Sequence, residues 1–383
     1  MAAFSLLNLV VNTVGKRLLP MIQMVSGVLH VLFFFIIIIV LLATSKKASS
    51  GFVWTTFQNS GGWSNNGVSF CIGLLLPAFS ISGADGCVHM AEEVRNASRN
   101  IPKAFVLTLV INGTMAFLIM VVSLYCITDL DAVLNTATGF PIIEIFYQAT
   151  GSTAAATIMD VMMMVVQVSC SFCLLAAASR LAWSFSREQG FPGSHFLSKV
   201  TCPCPLPLLN VNERFQVHPT LKVPTNAVYV SITISILLSV IVIGSTVALD
   251  AIVSLCTVSA FMSYLLPIGS FLWYRIYHGD AVQYGQWKLG RFGIPINIFA
   301  LCWCIFFIVI LPFPTILPVT AQDFNYGGPI LLAVLAILSV DWVIRGRKHY
   351  HGPVIEVTVH ESTENGHGVV CEIVQVDDMA QKY

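Results

Sequence analysis

The chain has 383 residues, 56% of them hydrophobic and 10% charged, with a mean hydropathy of +0.81. Soluble domains carry about 25% charged residues, so this shortfall excludes an ordinary soluble fold and places the chain in the membrane class. Formal net charge is +0, which leaves no basic surplus for nucleic acid.

In chain order, residues 1–14 read as the partial tail of a membrane helix. The run lacks a positive n-region and a small-residue cleavage site, which argues against a signal peptide. Eight segments follow whose length and apolar character suit a bilayer span: 20–44, 67–92, 104–127, 153–179, 226–244, 251–274, 293–312 and 328–344. His30 lies near the middle of the first. It is either the group that carries a coupling proton, since imidazole titrates near neutrality, or a neutral histidine bonded to a neighbouring helix.

Segment 67–92 holds the most informative stretch, Ser82-Gly83-Ala84-Asp85-Gly86-Cys87. A membrane helix satisfies its backbone internally, so a break is tolerated only where it lines a cavity or packs on protein. Two glycines around an acid at mid-depth predict such a break and a binding site. Gly83, Ala84, Asp85 and Gly86 are the candidate solute-binding residues, with a half-helix expected to resume near Gly86 and present its N–H groups. Asp85 either pairs with a solute ammonium or caps the resumed helix. Phe79, one turn earlier, lids the site, offers its face to a cationic headgroup, or simply packs. Just beyond, Glu92 and Glu93 fall at the same mouth as Arg180, which predicts an ion-paired gate; arginines serving only as membrane anchors are the alternative.

Of the 19 basic residues, all except Lys46 and Lys47 fall on one side when the Arg95–Lys103 loop is taken as cytoplasmic. This bias puts the C-terminus in the cytoplasm. The 352–383 tail is polar and reads as disordered. Most of the 11 cysteines are scattered through apolar segments (Cys71, Cys126, Cys170, Cys173, Cys256, Cys302 and Cys304), where they read as small buried hydrophobes, and Cys202-Pro-Cys204 in a loop is too short for a metal site. There is no catalytic constellation, no cofactor or metal motif and no Walker motif. The chain therefore reads as a non-enzyme whose energy source is an ion gradient.

The run Gly83-Ala84-Asp85-Gly86-Cys87-Val88-His89-Met90-Ala91-Glu92-Glu93-Val94-Arg95-Asn96 and its continuation to Lys103 resembles fungal amino acid and choline permeases of the amino acid–polyamine–organocation superfamily. Arg187-Glu188-Gln189-Gly190-Phe191-Pro192, Val223-Pro224, Leu311-Pro312-Phe313-Pro314 and Asp341-Trp342-Val343-Ile344-Arg345-Gly346-Arg347 agree in the same order. The resemblance implies an all-α integral membrane protein with the inverted-repeat (LeuT-like) transporter fold, lacking its first three helices. It implies proton-coupled secondary transport of a small amine-bearing solute (an amino acid, γ-aminobutyrate, choline or a polyamine) across a plasma or vacuolar membrane. A non-transporting paralogue, a sensor or a gene-model fragment is the alternative. Residues 201–217 form a loop insertion atypical of that family.

Overall fold

The computed structural model describes residues 2–15, 18–91, 94–198, 224–279, 284–350 and 352, and two short strands at 357–358 and 373–374. Its framework is helical. The elements are α1 (Ala2–Thr13), α2 (Leu19–Thr44), α3 (Ser50–Thr55), α4 (Asn66–Gly73), α5 (Leu75–Ile81), α6 (Ala97–Cys126), α7 (Leu130–Leu134), α8 (Pro141–Thr150), α9 (Thr153–Arg187), α10 (Ser194–Leu197), α11 (Thr225–Gly244), α12 (Thr246–Tyr277), α13 (Gly293–Ile310) and α14 (Gly327–Asp341). Eight stretches among the described residues are long and apolar enough to cross a membrane. The strands β1 (Val357–Thr358) and β2 (Ile373–Val374) pair antiparallel within the tail expected to be disordered. The atypical 201–217 loop lies outside the described residues.

The chain divides into two compact units, residues 1–178 with 230–334, and residues 179–229 with 335–383. In the first unit, the C-terminal end of α2 meets the end of α6, α7, α8 and the start of α9. Leu41, Cys126 and Phe146 are fully enclosed there. Elsewhere large apolar side chains such as Leu32, Ile39, Val110 and Leu237 face outward. That pattern suits lipid, where helix association relies on close packing and hydrogen bonds because lipid tails are as apolar as leucine.

Polar joints of that kind fasten α1 and α2 to α9. Asn8 and Asn12, one turn apart and buried on α1, reach α9 through Asn8 Nδ2 to Ser171 Oγ at 3.0 Å and Asn12 Nδ2 to the Phe172 carbonyl at 3.2 Å. Gln23 of α2 donates to the Ser169 carbonyl at 2.8 Å. All three contacts fall within one turn of α9, beside a small core of Leu19, Phe172 and Ala176.

The second unit is organised by one guanidinium. Arg345 donates to both carboxylate oxygens of Asp341, at 3.1 and 3.0 Å, and to the carbonyls of Gln189 and Gly190, at 3.1 and 3.0 Å. A π-helical turn at Trp342–Gly346 widens the helix where Arg345 sits. The loop it holds is tight: Gln189 is left-handed at φ 61°, and a Cβ on Gly190 would run into the Phe185 ring.

Candidate functional site

The segment expected as one broken helix is interrupted twice. The first interruption comes from Pro77, which supplies no N–H and whose ring crowds the carbonyl four residues back, that of Gly73. Accordingly α4 ends at Gly73 and α5 restarts at Leu75. The second falls at Ser82, which turns extended at φ −64°, ψ 152°, followed by Gly83 at φ 94°, ψ −1°. Only glycine adopts that left-handed geometry without a Cβ penalty. Ser80 and Ser82 donate their hydroxyls to the carbonyls of Leu76 and Ala78, and the second of these satisfies an acceptor that the ending helix orphans.

Two expectations are corrected here. Among the described residues no α-helix resumes at Gly86: a short 3₁₀ turn, Ala84–Cys87, is followed by further turns, and the next described α-helix opens at Ala97. Gly86 needs no special backbone geometry, because its φ is not positive. The capping role considered for Asp85 is also replaced, since Gly83 occupies the cap position and makes no side-chain cap.

Asp85 instead pairs with His89. Their Oδ2 and Nε2 atoms lie 3.4 Å apart across one turn, and both side chains are half-buried. On the other side, the Asp85 carboxylate lies near the Tyr264 hydroxyl of α12 and the Cys256 thiol two turns earlier. Cys304 of α13 completes the surroundings of Tyr264. The packing beneath explains why these groups meet. Leu74, Leu75 and Ala78 rest against Val258, Phe307 and Leu311, and Phe261 stacks on Phe307 at 4.7 Å. Thus α5 lies along the α12–α13 pair, and the chain leaving α5 delivers Asp85 opposite Tyr264.

Of the other sequence candidates, Ala84 and Gly86 sit in the same turn and are half-buried. Phe79 is 38% exposed and makes no ring contact among the described residues. His30 is exposed on α2, with no hydrogen bond or ion pair among the described residues, so the neighbouring-helix bond considered for it is absent there. Arg180 is half-buried in the second unit, and Glu92 and Glu93 lie outside the described residues. Sequence reading assigned no functional role to Tyr264, Cys256 or His89. The available signal was the spacing of Asp85 and His89, four residues apart, which puts a carboxylate and an imidazole one above the other.

The arrangement places a carboxylate beside backbone freed from helical bonding, within a membrane-length segment. Such a site can bind a small cationic group, while the N–H groups that open the 3₁₀ turn suit a carboxylate.

The chain is similar to known proteins. Residues 1–336 match the family model described as amino acid permease. The chain is 32% identical over 313 residues to a choline transporter of Saccharomyces cerevisiae, covering 82% of this chain and 52% of that protein. It is 31% identical over 361 residues to an uncharacterized amino-acid permease of Schizosaccharomyces pombe (93% and 62%), and 28% identical over 311 residues to amino-acid permease 2 of Neurospora crassa (79% and 52%). The chain thus spans about half to three-fifths of the length of these relatives. With eight apolar spans among the described residues, it is a multi-pass membrane protein; it belongs to the amino acid permease family and is not an enzyme.

Proposed function

We propose that this protein carries a small amine-bearing solute across a membrane, with Asp85 as the counter-charge for the solute's ammonium. The observation that carries this reading is the half-buried carboxylate beside the Ser82–Gly83 break, flanked by His89 and Tyr264. Relatives named choline transporter and amino-acid permease support an amine-bearing solute, whether amino acid, choline, γ-aminobutyrate or polyamine.

Two finer points belong to the same proposal. Transport is driven by a proton gradient, with the Asp85–His89 pair, 3.4 Å apart, as the coupling site. The basic loops and the C-terminus face the cytoplasm, as the lopsided distribution of lysine and arginine supports, and the plasma membrane is the proposed location. The test is uptake of labelled choline and γ-aminobutyrate by yeast lacking its own permeases, with and without a collapsed proton gradient. Uptake that needs both Asp85 and the gradient supports the reading; surface-expressed protein that moves none of these solutes opposes it.

A further inference from the structure

The Asp85–His89 pair bears on which amines the site accepts, and this inference rests on the reading of Asp85 just given. The remaining groups facing Asp85 carry no positive charge: Cys87 on its own turn, then Tyr264 and Cys256 on α12, with Cys304 of α13 behind Tyr264. Packed beside the turn, α6 opens with Arg99 and Lys103, both exposed and in no ion pair among the described residues. His89 is therefore the basic partner that the described structure supplies to Asp85, at 3.4 Å.

We propose that Asp85 and His89 act together as a clamp for zwitterions, and that the protonation of His89 switches the site between zwitterionic and purely cationic solutes. With His89 protonated, the two side chains neutralise each other. A zwitterion entering between them gives its ammonium to Asp85 and its carboxylate to the imidazolium, so one ion pair is exchanged for two. A solute that is only a cation must displace the imidazolium and leave it beside another positive charge. With His89 neutral, the preference reverses: the cation meets Asp85 unopposed, and the zwitterion's carboxylate loses its partner. By linkage, binding a zwitterion favours proton uptake at the site, and binding a cation favours proton release.

The experiment measures binding of labelled choline and labelled γ-aminobutyrate to purified protein in nanodiscs at about pH 5.5 and about pH 7.5. In the wild type, acidification should weaken choline binding roughly tenfold and tighten γ-aminobutyrate binding. His89→Gln should flatten both responses, and His89→Arg, charged throughout, should disfavour choline at both pH values. Choline binding that ignores pH in the wild type, or a pH response that survives in His89→Gln, overturns the clamp. If Asp85→Asn still abolishes choline binding in that case, the proposed cation site stands without it. Wild-type protein that binds neither probe, or an Asp85→Asn variant that binds choline as the wild type does, removes both the clamp and the site.

Discussion

The Arg345 guanidinium donates to the main-chain carbonyl of Gly190 at 3.0 Å, joining positions 155 residues apart in the sequence. The same group grips Asp341 through two hydrogen bonds, so it is oriented before it reaches the loop. Two of the runs that carry the family resemblance, Arg187–Pro192 and Asp341–Arg347, are therefore one structural joint. Hydrogen bonds to charged groups contribute about 1.5–3 kcal/mol, at the lower end where water reaches the side chains, as it does here. Arg345→Ala should lower the thermal midpoint by a few degrees and should expose the Arg187 peptide bond to trypsin. Arg345→Lys keeps the charge and loses the fork, so it should protect poorly. An unchanged tryptic pattern in both variants would mean that the loop is held by other contacts.

The two glycines around Asp85 should respond differently to alanine. Gly83 is left-handed at φ 94°, and nothing lies within 4 Å of where its Cβ would go, so the penalty is one of backbone conformation alone. Placing alanine in that region costs about 1–2 kcal/mol. Gly86 has ordinary dihedrals and equally open space, so Gly86→Ala should be close to neutral. Thermal melts in detergent check both, and equal destabilisation would show that the break is not organised by Gly83.

The break itself was legible in the sequence, because a charged residue between glycines at mid-depth has few other uses in a membrane segment. Pro77 announced the Gly73–Leu74 interruption just as plainly, through its missing donor, but the sequence reading placed a single break and passed over it. The course of the chain after Gly86 was not legible. Helical propensity continues through Val88-His89-Met90-Ala91, and only tertiary packing decides that a short 3₁₀ turn forms instead. Tyr264 could not be found from sequence for a similar reason. It is one of 10 tyrosines, and nothing local says which face of α12 meets the end of α5. That follows from the way Leu74, Leu75 and Ala78 seat on Val258, Phe307 and Leu311.

On α1, Asn12 donates to the Phe172 carbonyl and to Asn8 Oδ1 from a buried position. Interhelical hydrogen bonds in membranes average about 0.6 kcal/mol and reach about 2 kcal/mol. Asn12→Leu should therefore destabilise by less than about 2 kcal/mol. Asn8→Ala should destabilise further, since it removes the bond to Ser171 and leaves Asn12 with one acceptor fewer. Denaturation in mixed micelles measures both; a more stable Asn8→Ala variant would contradict the joint.

Tyr264 acts as a positioning residue for Asp85. Tyr264→Phe keeps the ring packed and removes the hydroxyl that faces the carboxylate. If the polar contact between hydroxyl and carboxylate contributes about 1 kcal/mol, KM rises roughly fivefold with little change in maximal rate. Tyr264→Ala would also open space beside Cys304 and should lower surface expression. A Tyr264→Phe variant with wild-type KM would assign the hydroxyl no part in holding Asp85.

The central claim is that Asp85 supplies the charge that holds the solute. Asp85→Asn preserves shape and hydrogen-bonding capacity while removing that charge. Removing one partner of a buried charge pair costs about 3–5 kcal/mol, reduced here because the carboxylate is 26% exposed, which still leaves at least about a tenfold loss of affinity. The decisive measurement is saturation uptake of labelled choline by Asp85→Asn and wild type at matched surface expression. The account predicts that uptake falls to background, or that KM rises at least about tenfold. Wild-type KM and maximal rate in Asp85→Asn would contradict it.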